Sequence, residues 1–298
     1  MKSLLLTLLA LSVVEGLAAA PAAAGLGVDT KFTSGPSRYR AGSGSVAYDH
    51  PSGFEGSAGA SASRSETSST TLKTYNGRVG FFTDTWSAGL SAGLTPKADL
   101  YRSFQYGTDA SWTFLGHEGE NHWGLTADFA YTRLHHEDEA PLCPNGRKKC
   151  LRRVQAATRL IELTQNDLTG GLRARGGPWT FLVSGTASLY DQDVELLAAP
   201  RGRTLPGLAS TVEGYPSSNL FAKVGRELGE RFWAWSSASR TAFHLGEPAM
   251  LSLELGAGAS LGKGFELTLS GNRQKNATDP VAHYVSAGLA WRLRPADD

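Results

Sequence analysis

Several short stretches of the chain alternate strictly between apolar side chains and small or polar ones. Successive side chains of a β-strand point to opposite faces, so this period of two predicts strands rather than helices. Each stretch has about the 9–11 residues that a tilted membrane-crossing strand needs, or slightly fewer. The most regular stretches are residues 86–94, 123–132, 179–189, 251–261 and 265–270.

The second face of these strands separates two all-β folds. A soluble β-sandwich turns its polar face to water and favours Lys, Glu and Thr there. Here Gly, Ser and Thr dominate that face, and Trp and Tyr cluster near strand ends, as in the aromatic girdles of membrane barrels. The pattern therefore favours a transmembrane antiparallel up-and-down β-barrel over a sandwich.

The C-terminal strand carries a short motif that supports the same fold. Ser286, Gly288, Trp291 and Leu293 follow the order polar–x–Gly–x–x–aromatic–x–hydrophobic. This resembles the C-terminal assembly signal of bacterial outer-membrane β-barrel proteins, which the barrel-assembly machinery reads as the closing strand. The resemblance implies an integral, porin-like protein of the Gram-negative outer membrane, with outer-membrane lipid and the assembly machinery as partners. Residues 294–298 follow the motif as a short tail.

The strand count follows from the less regular stretches. Bacterial single-chain barrels have even strand numbers. With the C-terminal strand at 281–292, eleven strands are predicted from residue 71 onward, so the Gly-, Ala- and Ser-rich segment 54–64 is added and gives about 12. The less regular strands are residues 71–82, 101–114, 156–175, 218–228 and 231–245.

The N-terminal part of the chain is predicted to lie outside the barrel. A positive start, an apolar run over 4–14 and a small-residue stretch ending at Ala24 are typical of a cleaved secretory signal peptide, residues 1–24. The run is too short to span a bilayer as a helix. Residues 25–53 lack sustained alternation and are interpreted as a periplasmic segment, which leaves 54–293 as the barrel.

Composition is consistent with this organisation. The chain has 35 Gly and a mean hydropathy of −0.24, as expected when only every second strand residue faces lipid. Its 29 basic residues balance 28 acidic ones, so charge gives no argument for nucleic-acid binding.

Charged residues decide which face of a strand points inward. An Arg facing lipid at mid-bilayer costs roughly 2–4 kcal/mol. The register of 231–245 that places Trp233, Trp235 and Phe243 outside and Arg240 in the lumen is therefore predicted. The predicted lumen charges are Asp128, Arg173, Arg175, Lys223, Arg240, Glu254 and Glu266.

Cys143 and Cys150 are the only cysteines, and they flank a Pro-Asn-Gly turn signal. An exported protein meets an oxidising compartment, so a disulfide within the long external loop 136–153 is predicted. The nearby His135 and His136 make a metal site the competing interpretation. Tetrahedral zinc sites need paired short ligand spacings, however, and only one Cys pair exists. No metal or cofactor is predicted.

No catalytic residues are predicted either. The His-x-Ser arrangement that would resemble the outer-membrane phospholipases occurs once, as His50-Pro51-Ser52, in the segment assigned to the periplasm and not on a predicted barrel strand. No motif resembles the barrel proteases. The chain is therefore not expected to be an enzyme. An outer-membrane lipid hydrolase is retained only as an alternative.

Two functional hypotheses from different classes remain. Small inward residues and lumen charges of both signs favour a channel for polar solutes or ions. Alternatively, the barrel is a non-conducting structural component of a trans-envelope secretion, export or gliding-motility machine, with periplasmic or outer-membrane protein partners. The long loop 195–215 could fold inward and plug the lumen.

Overall fold

A computed structural model describes residues 25–65, 70–98, 101–116, 123–141, 158–192, 194, 215–244, 248–277 and 280–293. They form fourteen antiparallel β-strands that close into a single barrel. The strands are β1 Gly25–Ser34, β2 Arg40–Asp49, β3 Phe54–Arg64, β4 Leu72–Phe82, β5 Trp86–Ala98, β6 Tyr101–Leu115, β7 Gly124–Pro141, β8 Thr158–Gly176, β9 Trp179–Tyr190, β10 Pro216–Glu227, β11 Phe232–Phe243, β12 Met250–Gly262, β13 Phe265–Lys275 and β14 Ala282–Leu293.

The barrel closes where β1 pairs with β14. The register runs from Leu26 opposite Leu293 to Ser34 opposite Val285. The hydroxyls of Thr33 and Ser286 lie 2.9 Å apart across this seam. Because every strand has two neighbours, the sheet has no open edge, which is the condition for a sheet to stand in hydrocarbon.

The predicted count of about 12 strands is wrong. The strands from β3 onward overlap the predicted ones, although β7 extends to Pro141 and thus into the predicted loop 136–153. The strands β1 and β2 fall in the segment 25–53 that the sequence assigns to the periplasm. Gly42 and Gly44 occupy outward positions of β2, opposite Phe32 and Thr30 of β1. Those glycines remove the apolar half of the alternation, so β2 does not stand out in the sequence.

The two ends of the barrel differ in the length of their connections. At one end, called the turn rim, β1 begins and β14 ends. Short turns such as 51–53, 177–178 and 263–264 join consecutive strands there. Gly264 has φ +78°, and a Cβ there would collide with the carbonyl oxygen of Arg292, so only glycine fits this turn. The other end, called the loop rim, carries the long connections 142–157 and 191–215. Short turns are typical of the periplasmic side of such barrels.

Large apolar side chains cover the outer surface. Leu255 is 70% exposed and Val285 64% exposed, and many Leu, Val and Phe residues on other strands are similarly open. Their strand neighbours of opposite parity are mainly Gly, Ser and Thr, which face the lumen. Among the described residues no helix is long and apolar enough to cross a membrane.

The register predicted for β11 is also wrong. Arg240 pairs with Leu220 and Leu251, both exposed on the outer surface, so Arg240 points outward. Trp233 and Trp235 point inward, and Phe243 shares their parity.

Two local causes explain the register of β11. The inward Trp rings lie over Gly258 and Gly256 of β12, where a Cβ would collide with them. Arg240 lies near the loop-rim end of the strand, where the cost of an outward Arg falls to about 0–1 kcal/mol.

Several predicted features lie outside the described residues. These are the signal peptide 1–24, the cysteines Cys143 and Cys150, most of the loop 195–215 and the tail 294–298. The disulfide and the inward plug therefore remain predictions.

Candidate functional site: the barrel lumen

Small side chains line much of the lumen. Fourteen strands spaced about 4.8 Å apart and tilted about 40° place the backbone roughly 14 Å from the barrel axis. Serine and glycine extend only a short way into that space. On β2, β3 and β5 the inward positions are largely Ser43, Ser45, Ser57, Gly59, Ser61, Ser63, Ser87, Gly89, Ser91 and Gly93.

A three-residue ionic cluster occupies the turn-rim half of this wall. Arg78 of β4 donates to both carboxylate oxygens of Asp109 on β6, at 2.9 Å from Nε and 2.6 Å from Nη2. Its third nitrogen, Nη1, donates to Glu55 on β3. The Arg78 side chain is 27% exposed, so the cluster lies against the wall and still meets the lumen.

Glycines of the intervening strand make room for this cluster. Arg78 reaches Asp109 by passing over β5, and a Cβ on Gly89 would lie 2.5 Å from Nη2 of Arg78. A Cβ on Gly80 would lie 2.6 Å from the Glu55 carboxylate. The guanidinium therefore lies flat on the sheet instead of projecting toward the barrel axis.

Other inward charges also pair along the wall. Arg173 lies 3.8 Å from Asp128 on the neighbouring strand, and Arg175 lies 3.2 Å from Glu227, two strands away. Arg292 and Glu266 are 4.0 Å apart on β14 and β13. Each of these ion pairs, like the contacts of Arg78, joins strands at most two apart and so lies along one side of the wall.

Lys223 has a different kind of neighbour. Its ammonium lies 5.5 Å from the ring centre of Trp235, the inward Trp of β11. A cation over the face of an aromatic ring is attracted by the ring quadrupole. This contact depends on the corrected register of β11, because an outward Trp235 could not reach an inward Lys223.

The structure places six of the seven predicted lumen charges on the inward face and one on the outward face. Strand pairing places Arg240 outside. The inward six are Asp128, Arg173, Arg175, Lys223, Glu254 and Glu266.

The most closely bonded charges of the wall, Arg78, Glu55 and Asp109, are not among the lumen charges predicted from the sequence. Val79 and Phe81 alternate with Arg78 and are exposed on the outer surface, so the alternation itself carried the signal for an inward Arg78. The contact between Arg78 and Asp109 could not be predicted from alternation, because it depends on the relative register of β4, β5 and β6.

Acidic side chains outnumber basic ones on the inward face of the described strands. The basic ones are Lys31, Arg78, Arg173, Arg175, Lys223 and Arg292. The acidic ones are Asp29, Asp49, Glu55, Asp109, Asp128, Asp167, Glu227, Glu254 and Glu266.

At the loop rim, one side of the lumen is closely packed. Leu163, His136 and Gln165 on β7 and β8 are almost fully buried, as is Tyr215 just before β10. The Tyr101 hydroxyl lies 2.9 Å from Nδ1 of His136. This packing braces the extended ends of β6 to β9. In the described part of the chain, no group of three His, Cys, Asp or Glu residues is placed to hold a metal ion.

The outer surface identifies the medium that surrounds the barrel. Soluble monomers rarely expose apolar patches larger than a few hundred Å². Here apolar side chains are exposed around the whole circumference, and Trp86, Trp112, Trp123 and Trp179 face outward near the turn rim, as an aromatic girdle at a membrane interface would. The chain is therefore an integral membrane barrel of the outer-membrane type.

No known family model matches the chain, and no curated protein matches it. Solved structures to which the chain shows similarity include the KdgM porin (4% identity, 89% of this chain and 98% of that one, TM-score 0.43). A BenF-like porin from Pseudomonas fluorescens Pf-5 shows 8% identity over 92% and 98% of the two chains, with a TM-score of 0.45. A bacterial polysaccharide outer membrane secretin shows 10% identity over 93% and 100%, with a TM-score of 0.46.

Proposed function

We propose that this barrel is a porin-like outer-membrane channel through which small polar solutes and ions diffuse. The observation that supports the proposal most strongly is the arrangement of the inward charges. The ion pairs of the inward face join neighbours on the same side of the wall, as those of Arg78 with Glu55 and Asp109 do. Small inward residues on β2, β3 and β5 leave the space between the walls for water.

The balance of inward charges favours cations. Acidic residues outnumber basic ones, and a low-dielectric wall concentrates the field of fixed charges inside a water-filled passage. The excess is modest, and most of the basic side chains are already paired. The channel is therefore expected to be weakly selective for cations.

Reversal potentials in a KCl gradient across a planar bilayer test both parts of the proposal. Purified barrel is expected to produce stepwise conductance with a K⁺/Cl⁻ permeability ratio above one. Lys223→Glu adds negative charge to the lumen and is expected to raise that ratio. Arg240→Gln is the matched control, because Arg240 faces the outer surface and its loss is expected to leave the ratio unchanged.

Two results would count against the proposal. A barrel that folds, as judged by different gel mobility before and after boiling, but never conducts would favour the structural role in an envelope machine. A conducting barrel whose selectivity responds to Arg240→Gln and not to Lys223→Glu would contradict the placement of the lumen charges.

The C-terminal motif is the proposed contact with the barrel-assembly machinery. Ser286 and Gly288 point into the lumen, whereas Trp291 and Leu293 point outward at the turn rim. The backbone edge of β14 beside this outward aromatic–hydrophobic pair is open until β1 pairs with β14. Substitution of Trp291 and Leu293 by Ala is thus expected to lower the yield of assembled barrel in cells.

A further inference from the structure

Outward-facing charges are distributed unevenly over the barrel. The eight strands β11 to β14 and β1 to β4 are consecutive around the barrel, and their described outward residues include no Asp or Glu. They do include six basic side chains, here called the basic belt: Arg40, Arg64, Lys73, Arg240, Arg273 and Lys275.

All six lie at the same end of the barrel. Arg40 begins β2 and Arg64 ends β3, both at the loop rim. Lys73 is the second residue of β4, and Lys275 is the last residue of β13. The middle of the same strands is apolar outside, so the belt follows the boundary between hydrocarbon and headgroups.

The belt places like charges beside each other. Arg40 lies directly opposite Arg64, and Lys73, opposite Ala62, is a diagonal neighbour of Arg64. Lys275 is separated from Arg240 only by Leu251. Like charges directly opposite each other on a sheet are destabilising unless something neutralises them.

No protein group of the described chain neutralises the belt. None of the six side chains forms an ion pair with a described residue. Elsewhere on the outer surface the chain does provide partners. Arg102 is paired with Glu137, with Nε 2.7 Å from the carboxylate, and Arg226 lies 4.9 Å from the ring centre of Trp179 at the turn rim.

We propose that the basic belt binds the phosphate groups of anionic lipid in the leaflet at the loop rim. Lys and Arg stems can lie along the apolar surface while their charged ends reach the headgroup level. Each basic side chain near an anionic membrane surface adds attraction of its own, so neighbouring side chains act together. The inference rests on the membrane placement and is independent of whether the channel conducts.

Binding of lipid A to the detergent-solubilised barrel, counted by native mass spectrometry, tests the proposal. The variant Arg40→Gln/Arg64→Gln/Lys73→Gln is expected to lower the affinity for diphosphoryl lipid A at least tenfold. The matched control, Arg226→Gln/Arg231→Gln/Lys263→Gln, removes three exposed basic residues at the turn rim and is expected to bind like the unmodified chain. Monophosphoryl lipid A is expected to bind more weakly than the diphosphoryl form.

Each alternative outcome overturns the proposal. Equal losses in the two triple variants would mean that total charge, not the belt, determines binding. Equal affinity for both forms of lipid A would mean that the acyl chains, not the phosphates, are recognised. Displacement by sodium phosphate beyond the effect of NaCl at equal ionic strength would indicate a site for the free anion. Heat-dependent gel mobility verifies that each variant is folded, and conductance records the proposed channel separately.

Discussion

Arg78 is the residue on which most of the lumen contacts depend. Replacement by Met leaves Glu55 and Asp109 without their partner, and because the site is only partly exposed, we expect a loss of about 2 kcal/mol in the free energy of unfolding. Arg175→Met is the matched control. Its partner Glu227 is 57% exposed, so we expect less than about 1 kcal/mol there.

Urea titration of both variants in lipid vesicles, followed by Trp fluorescence, measures this difference. If Arg175→Met destabilised the barrel as much as Arg78→Met, the three-residue cluster would contribute no more to the free energy of unfolding than an exposed ion pair does. The released carboxylates at Glu55 and Asp109 should also raise the K⁺/Cl⁻ permeability ratio of the Arg78 variant.

The prediction of single residues from the sequence succeeded where depth in the membrane did not matter. Lys223 and Arg173 alternate with apolar neighbours on strands whose middle faces lipid, so their inward side followed directly. Arg240 was misplaced because the cost of an outward Arg was taken at mid-bilayer, although the residue lies near the loop rim. Trp235 was misplaced with it, since only the pairing with β12 shows that Gly256 leaves room for its ring.

At the scale of elements, the seam between β1 and β14 distinguishes fourteen strands from twelve. In a cysteine-free background, Thr33→Cys and Ser286→Cys are expected to form a disulfide under mild oxidation, because the two hydroxyls lie 2.9 Å apart. Thr33→Cys with Ala290→Cys is the matched control. Ala290 also faces inward but pairs with Asp29, four residues from Thr33 along β1, so no bond is expected.

Gel mobility after boiling detects the cross-link. If 25–53 were a periplasmic segment, neither pair would form a specific bond, and that result would contradict the seam.

The alternation of most strands could be predicted because lipid requires apolar side chains on one face. The strand β2 was not predicted because Gly42 and Gly44 give no hydropathy signal. Its place in the barrel follows only from its pairing with the neighbouring strands.

The whole molecule combines an apolar outer surface, a small-residue lumen and two unlike rims. Alternation, an even strand number and the C-terminal motif predicted a closed antiparallel barrel. Alternation is required because lipid covers one face of each strand, and closure because a sheet in lipid has no open edge. The ionic contacts of the lumen depend on register across three strands, and the basic belt depends on which strands become neighbours at closure. Neither can be obtained from one strand at a time.

Spin labels placed one at a time along β13 test the central claim most directly, namely that lipid covers one face of each strand and water the other. Labels at Leu267 and Leu269 are expected to be accessible to oxygen, which concentrates in hydrocarbon. Labels at Thr268 and Ser270 are expected to be accessible to a water-soluble nickel complex. Alternation of the two accessibilities with a period of two would support a water-filled membrane barrel, and equal access of the nickel complex to both faces would contradict it.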